Sequence, residues 1–209
     1  DKYSDVRREA VRAVGMIGPA AKCIVPKLPR ALTDFRKWSR EHQMVRQQAA
    51  WACARMGPLA KEHLDRLIVM MHTEGDELPE ILEAIGSIGP VQKNVVPNVV
   101  DWLEKMGRDW QHCPKSKMAA WTALETFGPK SAPAVSLIAR YLRENVGREE
   151  PPALFLRWFR ILRAVGPGAK EALPGLKKWS ERTSIPRGWT KDKLAEVRKE
   201  AAATMEKLK

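Results

Sequence analysis

Asp5-Val6-Arg7-Arg8-Glu9-Ala10-Val11-Arg12-Ala13-Val14-Gly15-Met16-Ile17-Gly18-Pro19 closes on a dipeptide that comes back four times, at Gly57-Pro58, Gly89-Pro90, Gly128-Pro129 and Gly166-Pro167. The intervals are 39, 32, 39 and 38 residues, and a period of this size marks a repeat array. Counted back from the Gly, position eight holds Ala10, Ala49, Ile81, Ala120 and Trp158. Position seven holds Val11, Ala50, Leu82, Trp121 and Phe159, and position five holds Ala13, Ala52, Ala84, Ala123 and Ile161. Position four holds Val14, Cys53, Ile85, Leu124 and Leu162, and position one Ile17, Met56, Ile88, Phe127 and Val165. At 3.6 residues per turn these offsets form one apolar helix face. The small residue at position five suits close approach of a neighbouring helix.

The Gly ends that helix by accepting positive φ, and the Pro stops it and can open the next. A second pattern follows the Pro. Six residues on stand Val25, Leu64, Val96, Val135 and Leu173, and nine on stand Leu28, Leu67, Val99, Ile138 and Leu176. Thirteen on stand Leu32, Met71, Leu103 and Leu142, whereas the fifth unit has Ser180. A further Pro at 26, 97 and 174 predicts a bend or a loosely formed first turn. Each unit therefore reads as helix A, a tight Gly-Pro turn and helix B.

The stretch from Asp5 to Pro19, with Ala21 and Val25-Pro26-Lys27-Leu28, resembles the HEAT-repeat family, most closely its bacterial phycobilisome-lyase-type HEAT-like repeats. The resemblance runs over nearly the whole chain. It departs at Asp76-Glu77-Leu78-Pro79-Glu80, where the family often carries a Val-Arg pair. It implies an all-α fold, an α-solenoid of about five helix-pair repeats (approximately 5–42, 43–74, 75–114, 115–151 and 152–191) plus a partial sixth helix at 192–209. Together these form one domain. The family is mostly a docking surface, so the resemblance says little about the partner.

Val197 to Met205 copies the spacing of Val6 to Val14. This ending reads either as the start of a further unit in a longer polypeptide or as the capping helix that a solenoid needs. Ser4 or Asp5 is the expected N-cap of the first helix. No run of 18 apolar residues predicts a membrane span, and a cytoplasmic setting is favoured.

The chain carries 209 residues and a formal charge of +12, unevenly placed. Residues 1–73 hold 14 Lys+Arg and 7 Asp+Glu, residues 74–106 hold 2 and 7, and residues 107–209 hold 21 and 11. An acidic third unit (Glu74, Asp76, Glu77, Glu80, Glu83) thus lies between basic ends, a field suited to polyanions or acidic protein surfaces. Three cysteines complete no disulfide framework. Cys53 sits at a core offset, Cys23 early in a B helix and Cys113 in a polar loop as the one exposed thiol expected. No set of His and Cys has metal-ligand spacing, so neither metal nor cofactor is expected.

Three long loops, Asp34–His42, Gly107–Lys115 and Thr183–Lys191, each carry a Trp with basic neighbours. All connect a B helix to the next A helix and so fall on one edge, roughly 20 Å apart if neighbouring helices pack at their usual spacing. Arg36, Lys37, Trp38, Arg40, Arg108, Trp110, Arg187, Trp189 and Lys191 have the composition of a stacking and cation–π surface. The opposing reading folds each Trp back over the core. Trp51 stands where other units carry Arg12, Glu83, Thr122 and Arg160, and is expected to be exposed. Arg157, Arg160 and Arg163 form a basic stripe, which Glu149 and Glu150 could partly neutralise. Trp102, Trp121, Trp158 and Trp179 read as core.

No phosphate loop, His-Glu-x-x-His or nucleophile elbow occurs. The leading expectation is a non-enzymatic scaffold docking a protein or acidic partner on a surface of B helices. The alternative is nucleic-acid binding through the basic Trp loops and the Arg stripe. By family analogy alone, a HEAT-like DNA glycosylase for alkylated bases or chromophore handling through Cys113 are remote further readings.

Overall fold

The computed structural model describes residues 2–34, 40–74, 79–107, 112–144 and 150–209. Among these residues every regular element is helical and none is a strand. The A helices are α1 (Ser4–Ile17), α3 (Arg40–Met56), α5 (Pro79–Ile88), α7 (Pro114–Phe127), α9 (Pro152–Val165) and α11 (Lys191–Leu208). The B helices are α2 (Pro29–Leu32), α4 (Leu64–Glu74), α6 (Val95–Met106), α8 (Val135–Glu144) and α10 (Leu173–Ser180). Each A helix packs on the next, α1 on α3 through to α9 on α11, and α2 on α4, α4 on α6 and α8 on α10 make B-to-B contacts.

The turns repeat closely. Gly18, Gly57, Gly89, Gly128 and Gly166 all take positive φ. Gly18 combines φ 65° with ψ −142°, a region open essentially to glycine alone. Four of the five turns run directly into 3-10 segments: Gly18–Lys27, Gly57–His63, Gly128–Ala134 and Gly166–Ala172. Proline lacks the N–H that an α-turn would use, so the extra prolines fall in first turns, and Pro26 sits inside the longest 3-10 segment.

The apolar offsets of units two to five are buried, with Val165 and Leu173 half-buried. Unit one differs. Ala10, Ala13 and Ile17 are exposed, because no described helix lies on that side of α1. Positions eight and five before the Gly are therefore core in α3, α5, α7 and α9 and surface in α1. Two boundary expectations also change. Tyr3 precedes α1, and no side chain caps it. Arg40, Glu41 and His42 lie within α3, which shortens the loop expected to reach His42 and makes Arg40 an exposed helical residue.

The core ends in an aromatic cluster. Tyr141, Trp121, Trp158, Phe155, Trp179 and Trp189 are linked by ring-centroid distances from 4.3 to 6.3 Å. Trp102, Trp121, Trp158 and Trp179 are fully buried, as their reading as core expects. Trp179 Nε1 donates to the Leu142 carbonyl at 3.1 Å.

One contact recurs at the unit ends. Eleven residues before the Gly stand Arg7, Arg46, Lys117 and Phe155. Arg7 Nε lies 2.7 Å from Asp34 Oδ2. Buried Arg46 donates to Glu74 Oε2 at 2.8 Å and to the Asp34 carbonyl at 2.9 Å. In units one and two the side chain thus ties the A helix to the end of its own B helix. In unit five Phe155 does this with aromatic contacts to Trp179 and Trp189.

Candidate functional site: a groove across three A helices

Helices α3, α5 and α7 enclose a groove of about 700 Å³. It runs along α5 from Pro79 to Ser87 and along α7 from Lys115 to Thr126, with Gln47 of α3 also lining it. Leu82, Gly86, Met118, Ala119 and Ala123 line its apolar part. Gly86 holds the two helices together, since a Cβ there would lie 3.0 Å from Ala123 Cβ and 3.2 Å from its Cα.

The α7 wall offers few hydrogen bonds to a ligand. Thr122 Oγ1 donates to the Met118 carbonyl at 2.7 Å and Thr126 Oγ1 to the Ala123 carbonyl at 2.8 Å, so both hydroxyl protons are used within the helix. The α5 wall carries Glu80 and Glu83. Gln47 Nε2 donates to Glu80 Oε1 at 2.8 Å. Glu80 Oε2 is buried without a hydrogen-bond partner among the described residues. Partial burial, and then the Glu80 carboxylate beside it, push the Glu83 carboxyl above its ordinary range.

The residues singled out from sequence distribute differently. Arg36, Lys37, Trp38, Arg108 and Trp110 lie outside the described residues, and so do two of the three Trp loops at their centres. In the third loop Trp189 is half-buried against Phe155 and Trp179, and its Nε1 donates to the Glu150 carbonyl at 3.0 Å. This ring folds onto the core, while Arg187 and Lys191 remain exposed. Trp51 is not the exposed ring expected. It is half-buried and crosses Gly15, where an added Cβ would meet Trp51 Cζ3 at 2.4 Å.

The basic stripe is partly neutralised, by carboxylates on the two neighbouring A helices. Glu149 lies outside the described residues, and Glu150 is buried. Glu125 of α7 takes both Arg157 Nη1 and Arg160 Nε at 2.5 Å, and Glu200 of α11 takes Arg163 Nη1 at 2.6 Å. Arg157 Nε also lies 3.2 Å from Met118 Sδ, at the back of the groove wall. The thiols change places as well: Cys23 is exposed, Cys113 is half-buried, and Cys53 is buried with its pKa pushed up to about 12. Among the described residues no cluster of three or more His, Cys, Asp or Glu could hold a metal ion, and no helix is long and apolar enough to cross a membrane.

The groove itself was missed by pattern reading, although one signal points to its carboxylates: the acidic start of the third unit. The sequence also placed the binding surface on B helices, whereas this groove is built from A helices. Comparison with family models and with curated proteins returned no match.

Proposed function

We propose that the chain is an α-solenoid of HEAT-like helix pairs acting as a non-enzymatic docking module, with a protein segment as its partner. The A-to-A packing and the recurrent Gly-Pro turn geometry support the solenoid reading. The groove across α3, α5 and α7 carries the functional one. It spans three successive units on helices rather than loops, and it combines an apolar floor with a charged rim. Pockets of this volume and make-up are the usual form of a recognition site, and a groove between parallel ridges suits an extended or helical segment.

A random 12-residue display library selected on the full chain tests this. Selected peptides should lose at least tenfold in affinity for a Ser87→Trp/Thr126→Trp variant, in which two indoles fill the groove from its exposed rim. The melting temperature should not change. Equal binding to the filled variant, or no enrichment over an unrelated helical protein, would remove the groove from the proposal.

A further inference from the structure

The A-helix face pairs its charges in register between neighbours. Arg163 stands three residues before its Gly and reaches Glu200, nine before the equivalent position on the next helix. Glu80 stands nine before Gly89, so the equivalent partner on the preceding helix is Ala54, three before Gly57. Alanine cannot pair with it. Gln47 binds one oxygen of Glu80, the other oxygen is buried and unpartnered, and neither Glu80 nor Glu83 pairs with a cation among the described residues. Lys115 lines the same groove without an ion pair to either. The segment that contains this gap is also the acidic one, with 7 Asp+Glu against 2 Lys+Arg in residues 74–106 of a chain that is otherwise basic.

We infer that the groove recognises a protein segment bearing lysine or arginine beside apolar residues, and that the segment supplies the cation missing opposite Glu80 and Glu83. This rests on the docking reading above. The chemistry selects this class among cations. A divalent ion needs six or more oxygens, or several retained waters, and the groove offers two carboxylates above an apolar floor. A lysine or arginine brings its own methylene stem to cover such a floor while its head reaches the carboxylates. An acidic segment would desolvate its charge beside two like charges.

Three 14-residue helical peptides serve as probes. They share a Leu/Ala face and differ only in a central pair: Lys-Lys, Gln-Gln or Glu-Glu. Fluorescence anisotropy at low and physiological salt should rank them in that order, with Lys-Lys about tenfold tighter than Gln-Gln. That preference should fall below about twofold in Glu80→Gln/Glu83→Gln. Ala54→Arg, which restores the internal pair, should weaken the Lys-Lys peptide and leave the Gln-Gln peptide unchanged. Equal affinities for all three probes, lost together in the filled-groove variant, would overturn the cation inference and keep the groove. Binding that ignores the filled-groove variant, or no binding by any probe, would overturn both.

Discussion

Arg46 and Glu74 form a charged pair that is almost dry, with side-chain exposures of 4% and 7%. Removing one partner strands the other in the interior, so Arg46→Ala should cost about 3–5 kcal/mol, read as a lower midpoint in urea. Replacing both, as Arg46→Met/Glu74→Leu, should recover most of that loss, because the ion pair's desolvation cost disappears with it. Two carboxyls respond to pH in opposite senses. Burial raises the Asp34 pKa, but hydrogen bonds and charge from Arg7 and His42 outweigh it and leave the net value below 3.8. Its stabilising contribution is therefore present above that value and lost as pH falls through the folded-state pKa. Glu83 is raised above 4.5, so its ionisation opposes folding once pH rises past that value. Glu83→Gln should raise the melting temperature at neutral pH. The gain should vanish below about pH 4, where both side chains are neutral. A pH series of thermal melts for the wild type, Asp34→Asn and Glu83→Gln reads both signs.

At the scale of the element, the repeated helix is informative because its copies face different surroundings. Ile17 and Ile88 occupy the same offset before their glycines, yet Ile17 is 60% exposed and Ile88 is 2% exposed. Ile17→Lys should shift the melting temperature by no more than about a degree, as a surface change does. Ile88→Lys buries an unpaired ammonium and should unfold the chain or cost more than about 4 kcal/mol. The turn glycines form a second element-level constraint. Gly18→Ala would force a Cβ into φ 65°, ψ −142°, a strain of about 1–3 kcal/mol. Space is not the obstacle there, since the nearest atom to the added Cβ would be the Arg55 carbonyl at 3.8 Å.

Across the whole molecule, formal charge overstates what a polyanion would meet. The chain totals +12, but the stripe on α9 is already held by Glu125 and Glu200. Removing those two charges as Glu125→Gln/Glu200→Gln should therefore strengthen binding to single-stranded oligonucleotides and steepen its dependence on salt. Wild-type affinity that already matches the variant, with an equal salt slope, would show the stripe to be accessible despite its pairs. The same A-helix face thus carries three charge conditions side by side. Arginines are paired on α9, the α5 carboxylates Glu80 and Glu83 have no cation beside them among the described residues, and an apolar wall on α7 separates them.

Local pattern alone was enough for the A helices, their order and the glycine at each reversal, but not for the 3-10 segments that follow four of the five glycines. The Gly-Pro period, the 3.6-residue spacing and the glycine at each reversal are short-range constraints, and short-range constraints are written in consecutive residues. Leu32, Met71, Leu103 and Leu142 are buried as their common offset demands. The groove and the pairing of charges were decided only by the tertiary structure. Whether Ile17 is core or surface depends on whether a helix lies beside it. Whether Arg160 is free depends on Glu125, 35 positions earlier. Trp189 covers the core because Phe155 and Trp179 stand within ring contact, a fact about packing that its loop does not record. The cation gap at Glu80 belongs to this second kind: it exists because Ala54, on a neighbouring helix, occupies the place where another unit carries Arg163.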